Sequence, residues 1–243
     1  MNRNPGTDTH HSSFRIHHCI AGSRKARGVA VIIDVFRASS TIVAAFGAGA
    51  ERVIPVGELD AAYELKRRNP GFLLFGERGC LPPAGFDGGN SPAAMAKLHL
   101  RGKTVILTTS AGTQGIVNAT HADEIVIGCF LNARAAADRI AKARPSEVSL
   151  VAMGVAGVKP ALEDELCAQY IRALCTGEDI DLDDIRARIM KDPEALKFLD
   201  RSDPVYSPDD VEFCLRANAY SIVPVFDGHS LKVLKQDGQD QAG

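Results

Sequence analysis

Several apolar runs of this sequence are followed by residues that can bind a phosphate and a divalent cation. The run VAVII ends at Asp34, and Arg37 follows three positions later in DVFRASST. Carboxylates are ligands that Mg²⁺ prefers, and an arginine can hold a phosphate or sulfonate through two parallel hydrogen bonds. Taken alone, an aspartate in this position more often ends a strand or begins a helix than binds a ligand. Its role therefore depends on what lies near it.

Further polar segments of the same kind occur along the chain, in GERG, GFDGGNSP, TTSAGT and GCFLN. Their carboxylates suit a hard cation, whereas arginines, hydroxyls at helix N-termini and small residues suit an oxyanion. No histidine falls in these segments, which counts against a phosphohistidine or a histidine-bound zinc. With Ser39 and Ser40 of DVFRASST, the candidates are Glu77, Arg78, Asp87, Asn90, Ser91, Thr109, Ser110, Gly112, Thr113 and Asn132.

Each of these residues also has a purely structural interpretation. Ser39, Ser40 and Ser110 stand where helices are expected to begin and can act as N-caps. Glu77 and Arg78 can form a surface ion pair. The acidic stretch that contains Glu163 and Asp164 can be a solvated first helical turn, where negative charge favours the helix dipole.

Alternating strand and helix patterns position these segments. Six short β-branched runs are predicted strands: 29–34, 51–56, 71–77, 103–109, 123–128 and 147–153. Helical patterns separate them, and Ser91-Pro92 is a strong helix start. The alternation predicts an α/β fold with a largely parallel sheet, and ligands bind at the carboxyl ends of such strands. The polar segments gather at that edge, while the opposite turns resemble ordinary connectors.

The remaining segments divide the chain without requiring two domains. Residues 1–13 are polar and are predicted to be a disordered leader, and 236–243 a frayed tail. Residues 14–235 form the predicted domain. Within it, the acidic, proline-broken stretch 176–218 is predicted to be a helical cap or subdomain.

Composition restricts the class of protein. The chain has 243 residues, 45% of them hydrophobic, and a formal net charge of −2, so nothing indicates nucleic acid or an acidic membrane as a partner. Six cysteines without a CxxC pair fit a reducing compartment. There is no apolar run of about 20 residues and no secretory signal. We expect a soluble, cytoplasmic protein that is not bound to a membrane.

The order and spacing of DVFRASSTIVAAFGAGA, GERG, AGFDGGNSP, TTSAGTQG, GCFLNARA and ALEDELCA resemble the 2-phosphosulfolactate phosphatase family. The resemblance covers about residues 14 to 235. It implies a three-layer α/β/α fold with a mostly parallel, mixed sheet. It also implies a Mg²⁺-dependent phosphatase that converts 2-phospho-3-sulfolactate to 3-sulfolactate and phosphate, a step of coenzyme M biosynthesis in methanogens. A homo-oligomer, such as a dimer, is compatible with it.

Residue roles follow from the resemblance together with the chemistry above. Asp34, Glu77 and Asp87 are the predicted metal ligands, and Asp34, Arg37 and Asp87 the predicted catalytic residues. Whether Asp34 attacks phosphorus or only positions metal and water stays open. The predicted substrate-binding residues are Ser39, Ser40, Arg78, Asn90, Ser91, Thr109, Ser110, Gly112, Thr113 and Asn132. Glu163 and Asp164 are additional candidates for the site.

Two other functions compete with this one. A haloacid-dehalogenase-type phosphotransferase needs a second acid two positions after the first, where this chain has Phe36. A non-catalytic phosphate- or sulfonate-binding member of the family would keep the same residues without turnover. TTSAGT is one residue longer than the family pattern and lies in the predicted site, so another phosphorylated hydroxy acid is an alternative substrate.

Overall fold

The structure, a computed structural model, describes residues 12–200, 202–203 and 205–233. Most of the predicted leader (1–11) and the predicted tail (236–243) lie outside the described residues. Strand β1 begins at Ser13, the last residue assigned to the leader, and Ser12 Oγ donates to the Pro145 carbonyl at 2.6 Å. The ordered fold therefore starts slightly earlier than the sequence predicts.

The strands follow the apolar runs closely. Each of the six predicted strands lies inside its predicted run and begins and ends within two residues of it. The strands of the described chain are β1 (Ser13–His18), β2 (Val29–Ile33), β3 (Arg52–Pro55), β4 (Leu73–Gly76), β5 (Thr104–Thr108), β6 (Glu124–Gly128), β7 (Glu147–Ala152), β8 (Pro224–Phe226) and β9 (Leu231–Val233).

Helices connect the strands, as the alternating pattern predicts. Ser91 begins α4 as expected, since its Oγ accepts from Ala94 N and Pro92 occupies the first turn, but this helix is only four residues long. The helices are α1 (Cys19–Ser23), α2 (Ala38–Gly47), α3 (Leu59–Arg68), α4 (Pro92–Met95), α5 (Gly112–Asn118), α6 (Ala133–Ala143), α7 (Leu162–Thr176), α8 (Leu182–Ile189), α9 (Pro193–Leu199) and α10 (Pro208–Cys214). None of them is long and apolar enough to cross a membrane.

The described strands form one mixed, mostly parallel sheet in the order β1-β7-β2-β6-β8-β9-β3-β5-β4. Two parallel groups are joined by the antiparallel hairpin of β8 and β9, which pairs with β6 on one side and β3 on the other. Helices flank the sheet. The chain is thus an α/β protein, consistent with the predicted three-layer α/β/α arrangement.

The main hydrophobic core surrounds the first parallel group. Every residue of β2 and of β5 is buried, which agrees with strands covered on both faces. A smaller core lies under α3, around Ala62, Leu74 and Ile106. Burial on both faces explains why these strands are recognisable as continuous apolar runs.

The sheet curves so that its two parallel groups approach the same site. β2 and β5 are five strand positions apart, which is about 24 Å in a flat sheet. Yet Gly112, at the start of the helix after β5, lies against Ala38 and Asp34, which follow β2. The carboxyl ends of distant strands therefore share one cavity.

Stretch 176–218 folds into α8, α9 and α10, which we call the cap helices. Asp181 and Asp192 cap the first two through their side chains, and prolines open the last two. Helix α10 packs against α4 and α9, and α8 packs against α7. The cap helices thus form one side of the site.

Candidate active site

A cavity of about 160 Å³ lies at the carboxyl ends of β2, β4, β5 and β7. Asp34, Glu77, Ser110 and Gly154 come from the segments that follow these strands, and α9 closes the opposite side. A binding site is expected at this edge of an α/β sheet. Its other lining residues are Phe36, Arg37, Gly79, Cys80, Asn90, Ala111, Val155, Ala156, Glu163, Glu194, Lys197, Phe198 and Tyr206.

Asp34 is buried directly after β2, and its carboxylate is held by the helix that follows. Its Oδ1 accepts from Ala38 N at 3.0 Å. A Cβ at Gly112 would lie 2.8 Å from its Oδ2, so only glycine fits there without displacement. Burial raises the pKa of Asp34 to about 6, and the charge of Glu77 contributes to the rise, whereas the hydrogen bond from Ala38 opposes it. This carboxylate is in an environment that favours a nearby cation.

Glu163 gives the cavity a second buried carboxylate, and one of its oxygens lacks a partner among the described residues. It is buried in the first turn of α7, and its Oε2 has no hydrogen-bond partner among the described residues. Burial, together with the charges of Asp34, Asp192 and Glu194, raises the pKa of Glu163 to about 7. The interpretation of this turn as solvated is wrong for Glu163.

Asp164, the next residue, has a different use. Its two carboxylate oxygens accept from Val35 N and Gly154 N, both at 2.7 Å. It therefore ties the loop after β2 to the loop after β7. Burial, with the neighbouring charges of Glu163 and Asp34, raises its pKa well above the ordinary value. Asp164 supports the site rather than lining it.

Glu77 lines the cavity but is already hydrogen-bonded. Its Oε1 accepts from Ser110 N at 2.7 Å, and its Oε2 accepts from Cys80 N at 2.9 Å and Ser110 Oγ at 3.2 Å. These bonds connect the loops that follow β4 and β5. Glu77 holds Ser110 in place on the cavity wall.

Arg37 is fixed on the opposite side by residues of the cap helices. Its Nη1 lies 3.0 Å from Asp210 Oδ2, and both side chains are buried, with 7% and 0% exposure. Its guanidinium carbon lies 5.4 Å from the Phe198 ring centre and 6.0 Å from that of Tyr206, distances typical of cation–π contacts. Arg37 is thus oriented before any ligand binds.

Asp87 does not line the cavity. Its Oδ2 accepts from Leu74 N at 2.7 Å and from Lys66 Nζ at 3.0 Å, so it fastens the glycine-rich loop to β4. The expected convergence of Asp34, Glu77 and Asp87 is therefore not found for Asp87.

Arg78 and Ser91, two predicted substrate-binding residues, are also outside the cavity. Arg78 donates to the carbonyls of Glu77 and Gly57 and to Thr108 Oγ1, which connects three loops. Ser91 caps α4 and donates to Asp210 Oδ1 at 2.6 Å. Asn90 does line the cavity, and its Oδ1 is buried without a partner among the described atoms.

The other predicted hydroxyl and amide residues satisfy backbone groups. Ser39 Oγ donates to the Ile32 carbonyl and Ser40 Oγ to that of Val35. Thr109 and Thr113 exchange hydrogen bonds that begin α5. Asn132 accepts from Cys129 N and donates to two carbonyls. Their contacts support structural roles, but the predicted N-caps are wrong: the N-cap residue of α2 is Arg37, and that of α5 is Ala111, rather than Ser39, Ser40 or Ser110.

Sequence reasoning missed the residues that the cap helices contribute. Glu194, Lys197, Phe198 and Tyr206 line the cavity, and Asp210 holds Arg37. The weak signal available was the acidic composition of stretch 176–218. That composition does not distinguish Asp210 from its neighbour Asp209. In the structure only Asp210 is buried, whereas Asp209 is exposed.

The donor set fits Mg²⁺. Four acids line the cavity against two bases, so an anionic ligand would meet net negative charge without a cation. The charge of Glu77 raises the pKa of Asp34, and the charge of Asp34 raises the pKa of Glu163. A bound cation would offset this repulsion between carboxylates. Within the described residues no three acidic, histidine or cysteine side chains form a metal cluster. Mg²⁺ needs only one or two carboxylates when waters and substrate phosphate complete its shell.

Comparison with known proteins identifies the family. The family model described as 2-phosphosulpholactate phosphatase matches residues 16–229. Relatives named probable 2-phosphosulfolactate phosphatase include one from Caldicellulosiruptor saccharolyticus, 37% identical over 81% of this chain and 88% of its own. Another, from Thermotoga maritima, is 34% identical over 80% of this chain and 87% of its own. The chain therefore belongs to the 2-phosphosulfolactate phosphatase family.

Proposed function

We propose that this protein is a Mg²⁺-dependent phosphomonoesterase that hydrolyses 2-phospho-3-sulfolactate, or a related phosphorylated hydroxy acid, to the free alcohol and phosphate. The relatives named for this activity support the substrate class. The observation that carries the proposal is the cavity itself, which is lined by a fixed arginine and by two buried carboxylates, one of which, Glu163, has an oxygen without a partner among the described residues.

Arg37 is the residue that would bind the phosphoryl group. Charge on the phosphoryl oxygens must be stabilised during transfer, and preorganised donors do so with little rearrangement. Asp210, Phe198 and Tyr206 hold the guanidinium in place before substrate arrives. Ser110 also lines the cavity, but its N–H and its hydroxyl both donate to Glu77, so Arg37 is the main donor on the wall.

Asp34 and Glu163 are the residues that would hold Mg²⁺. When bound, this ion supplies Lewis-acid polarisation of a phosphoryl oxygen and charge neutralisation. Glu77 is less suited, because both its oxygens already accept hydrogen bonds. Our assignment thus replaces Glu77 and Asp87 with Glu163.

The test is phosphate release from 2-phospho-3-sulfolactate and from p-nitrophenyl phosphate, measured with Mg²⁺ and with EDTA. Glu163→Gln should raise the Mg²⁺ concentration needed for half-maximal activity. Glu165→Gln is the matched control, because Glu165 lies two positions away on α7 and faces His18 instead of the cavity. Equal Mg²⁺ requirements in the two variants would remove Glu163 from the metal site.

A non-catalytic anion-binding protein would give a different result. Phosphate or sulfolactate would then raise the melting temperature, since a ligand that binds only the folded state stabilises it, but neither substrate would be hydrolysed. Absence of phosphate release from both substrates between pH 5 and 8 would overturn the enzymatic proposal.

We also propose that the protein works in the cytoplasm. All six cysteines are free thiols, which supports a reducing compartment. A homodimer remains a proposal, which size-exclusion chromatography with light scattering would test.

A further inference from the structure

The basic residues that line the cavity, within the described chain, are Arg37 and Lys197. A phosphorylated hydroxy acid carries at least one anionic group besides its phosphate. The two positive charges are therefore the available protein cations for two separate anionic groups.

The two cations differ in how firmly they are held. Arg37 is buried against Asp210 and two aromatic rings, so its orientation is fixed. Lys197 is 45% exposed and pairs with Glu194, three residues earlier on the same exposed turn of α9. Exposed ion pairs of this kind contribute little to stability. Lys197 can therefore exchange Glu194 for a ligand at little cost in free energy, whereas Arg37 cannot leave Asp210 so easily.

The surroundings of Lys197 leave an incoming anion few other partners on that side. Phe198 follows it on α9, and Phe36 and Tyr206 complete the apolar part of the wall. Phe198 packs against Phe36 with ring centres 5.2 Å apart and against Tyr206 at 4.9 Å. Aromatic faces repel anions, so a carboxylate or sulfonate near them needs the ammonium group.

We propose that Lys197 binds the second anionic group of the substrate and thereby selects phosphomonoesters that carry an additional carboxylate or sulfonate. The inference rests on the proposed function, in which Arg37 binds the phosphoryl group. The sequence indicates Arg78, Asn90 and Ser91 as candidates for this group, but Arg78 and Ser91 do not line the cavity, and Asn90, which does, carries no charge.

The experiment compares Lys197→Gln with Lys191→Gln, which removes a lysine of the same segment that does not line the cavity. Three substrates are used: 2-phospho-3-sulfolactate, 2-phospholactate without the sulfonate, and p-nitrophenyl phosphate without either additional anion. Losing one charge-assisted hydrogen bond corresponds to at least about a tenfold change. Lys197→Gln should lower kcat/KM for phosphosulfolactate about tenfold more than for the aryl phosphate, mainly through KM, and Lys197→Arg should recover part of the difference.

The intermediate substrate shows which group is bound. If Lys197 pairs with the sulfonate, the loss for 2-phospholactate should resemble that for the aryl phosphate. If Lys197 pairs with the carboxylate, the loss for 2-phospholactate should match that for phosphosulfolactate. Equal losses for all three substrates, or equal behaviour of the Lys197 and Lys191 variants, would overturn the inference.

A binding measurement separates this inference from the proposed function. Calorimetric titration of 3-sulfolactate and of inorganic phosphate into protein saturated with Mg²⁺ needs no turnover. Lys197→Gln should weaken sulfolactate binding about tenfold relative to the wild type and weaken phosphate binding less. An unchanged sulfolactate affinity would refute the role of Lys197, whereas absence of turnover in the wild type would refute only the enzymatic proposal.

Discussion

The most direct perturbation of the site is removal of the Asp210 charge. Asp210 is fully buried, with Oδ2 3.0 Å from Arg37 Nη1 and Oδ1 2.6 Å from Ser91 Oγ and 3.1 Å from Ala93 N. One carboxylate therefore joins α10 to α4 and to the loop after β2. A change at this position should affect both folding and phosphate binding.

The expected magnitude follows from burial. Arg37 is 7% exposed, and its remaining acceptors, the carbonyls of Val205 and Cys80, are 3.5 Å and 3.4 Å away. Removing one partner of a buried ion pair costs about 3–5 kcal/mol, because the other charge stays buried without compensation. We expect a loss in this range for Asp210→Ala. Asp210→Asn keeps the shape and an acceptor oxygen, so losing the charge alone should cost about 1.5–3 kcal/mol.

Urea unfolding and phosphatase kinetics measure the two consequences. The control is Asp209→Asn, since Asp209 is 67% exposed and lies 3.6 Å from an exposed Lys97, where an ion pair contributes about 1 kcal/mol or less. Asp210→Asn should also lower kcat/KM for every phosphomonoester, because Arg37 loses its orientation. Changes of equal size in the free energy of unfolding for the Asp209 and Asp210 variants would refute the reasoning.

Three further predictions concern Gly112, Asp87 and the buried carboxylates Asp34 and Glu163. A Cβ at Gly112 would lie 2.5 Å from Ala38 Cβ and 2.8 Å from Asp34 Oδ2, so Gly112→Ala should destabilise the protein by about 1–3 kcal/mol and lower kcat, as urea unfolding and phosphate release would show. Asp87→Asn should leave kcat close to the wild-type value while lowering the melting temperature; a large loss of kcat with normal folding would return Asp87 to the catalytic site. The pKa values of Asp34 and Glu163 are raised to about 6 and about 7, so between about pH 4 and 7 the folded state binds more protons than the unfolded state. The free energy of unfolding of metal-free protein should therefore fall as the pH rises over this range, by on the order of 3 kcal/mol, and Mg²⁺ should oppose the fall; a rise with pH in urea titrations would contradict it.

The strands could be predicted from the sequence because burial on both faces leaves a continuous apolar run. The order of the strands could not. The β8–β9 hairpin near the C-terminus lies between two parallel groups formed by earlier strands, and residue patterns within a strand do not encode its neighbours. The curvature that brings Gly112 to Asp34 depends on that order, so it was equally hidden.

Two of the acidic residues that line the cavity, Asp34 and Glu77, could be predicted from their positions in the sequence. Asp34 and Glu77 directly follow strands, so the rule that ligands bind at the carboxyl ends of strands selects them. The same rule selects Arg78, Thr109 and Asn132, whose side chains bind backbone groups instead. Composition at a strand end does not reveal which polar side chains are needed by the backbone, because that depends on the loop conformation.

The positions of the two basic residues that line the cavity, Arg37 and Lys197, depend on contacts that the sequence does not reveal. Arg37 is buried against Asp210, which is 173 positions away, and Phe198 and Tyr206 approach it from the same distant segment. The segments that follow β2 and β4 and the first turn of α7 thus provide Asp34, Glu77 and Glu163. The cap helices orient Arg37 and provide Lys197 together with Glu194. Because metal binding and anion binding rest on different parts of the fold, substitutions in the cap helices can alter substrate selection while Asp34 and Glu163 keep their places. We therefore expect the residues that change with the substrate within the family to lie mainly in the cap helices, since Asp34 and Glu77 are constrained by the core strands that precede them.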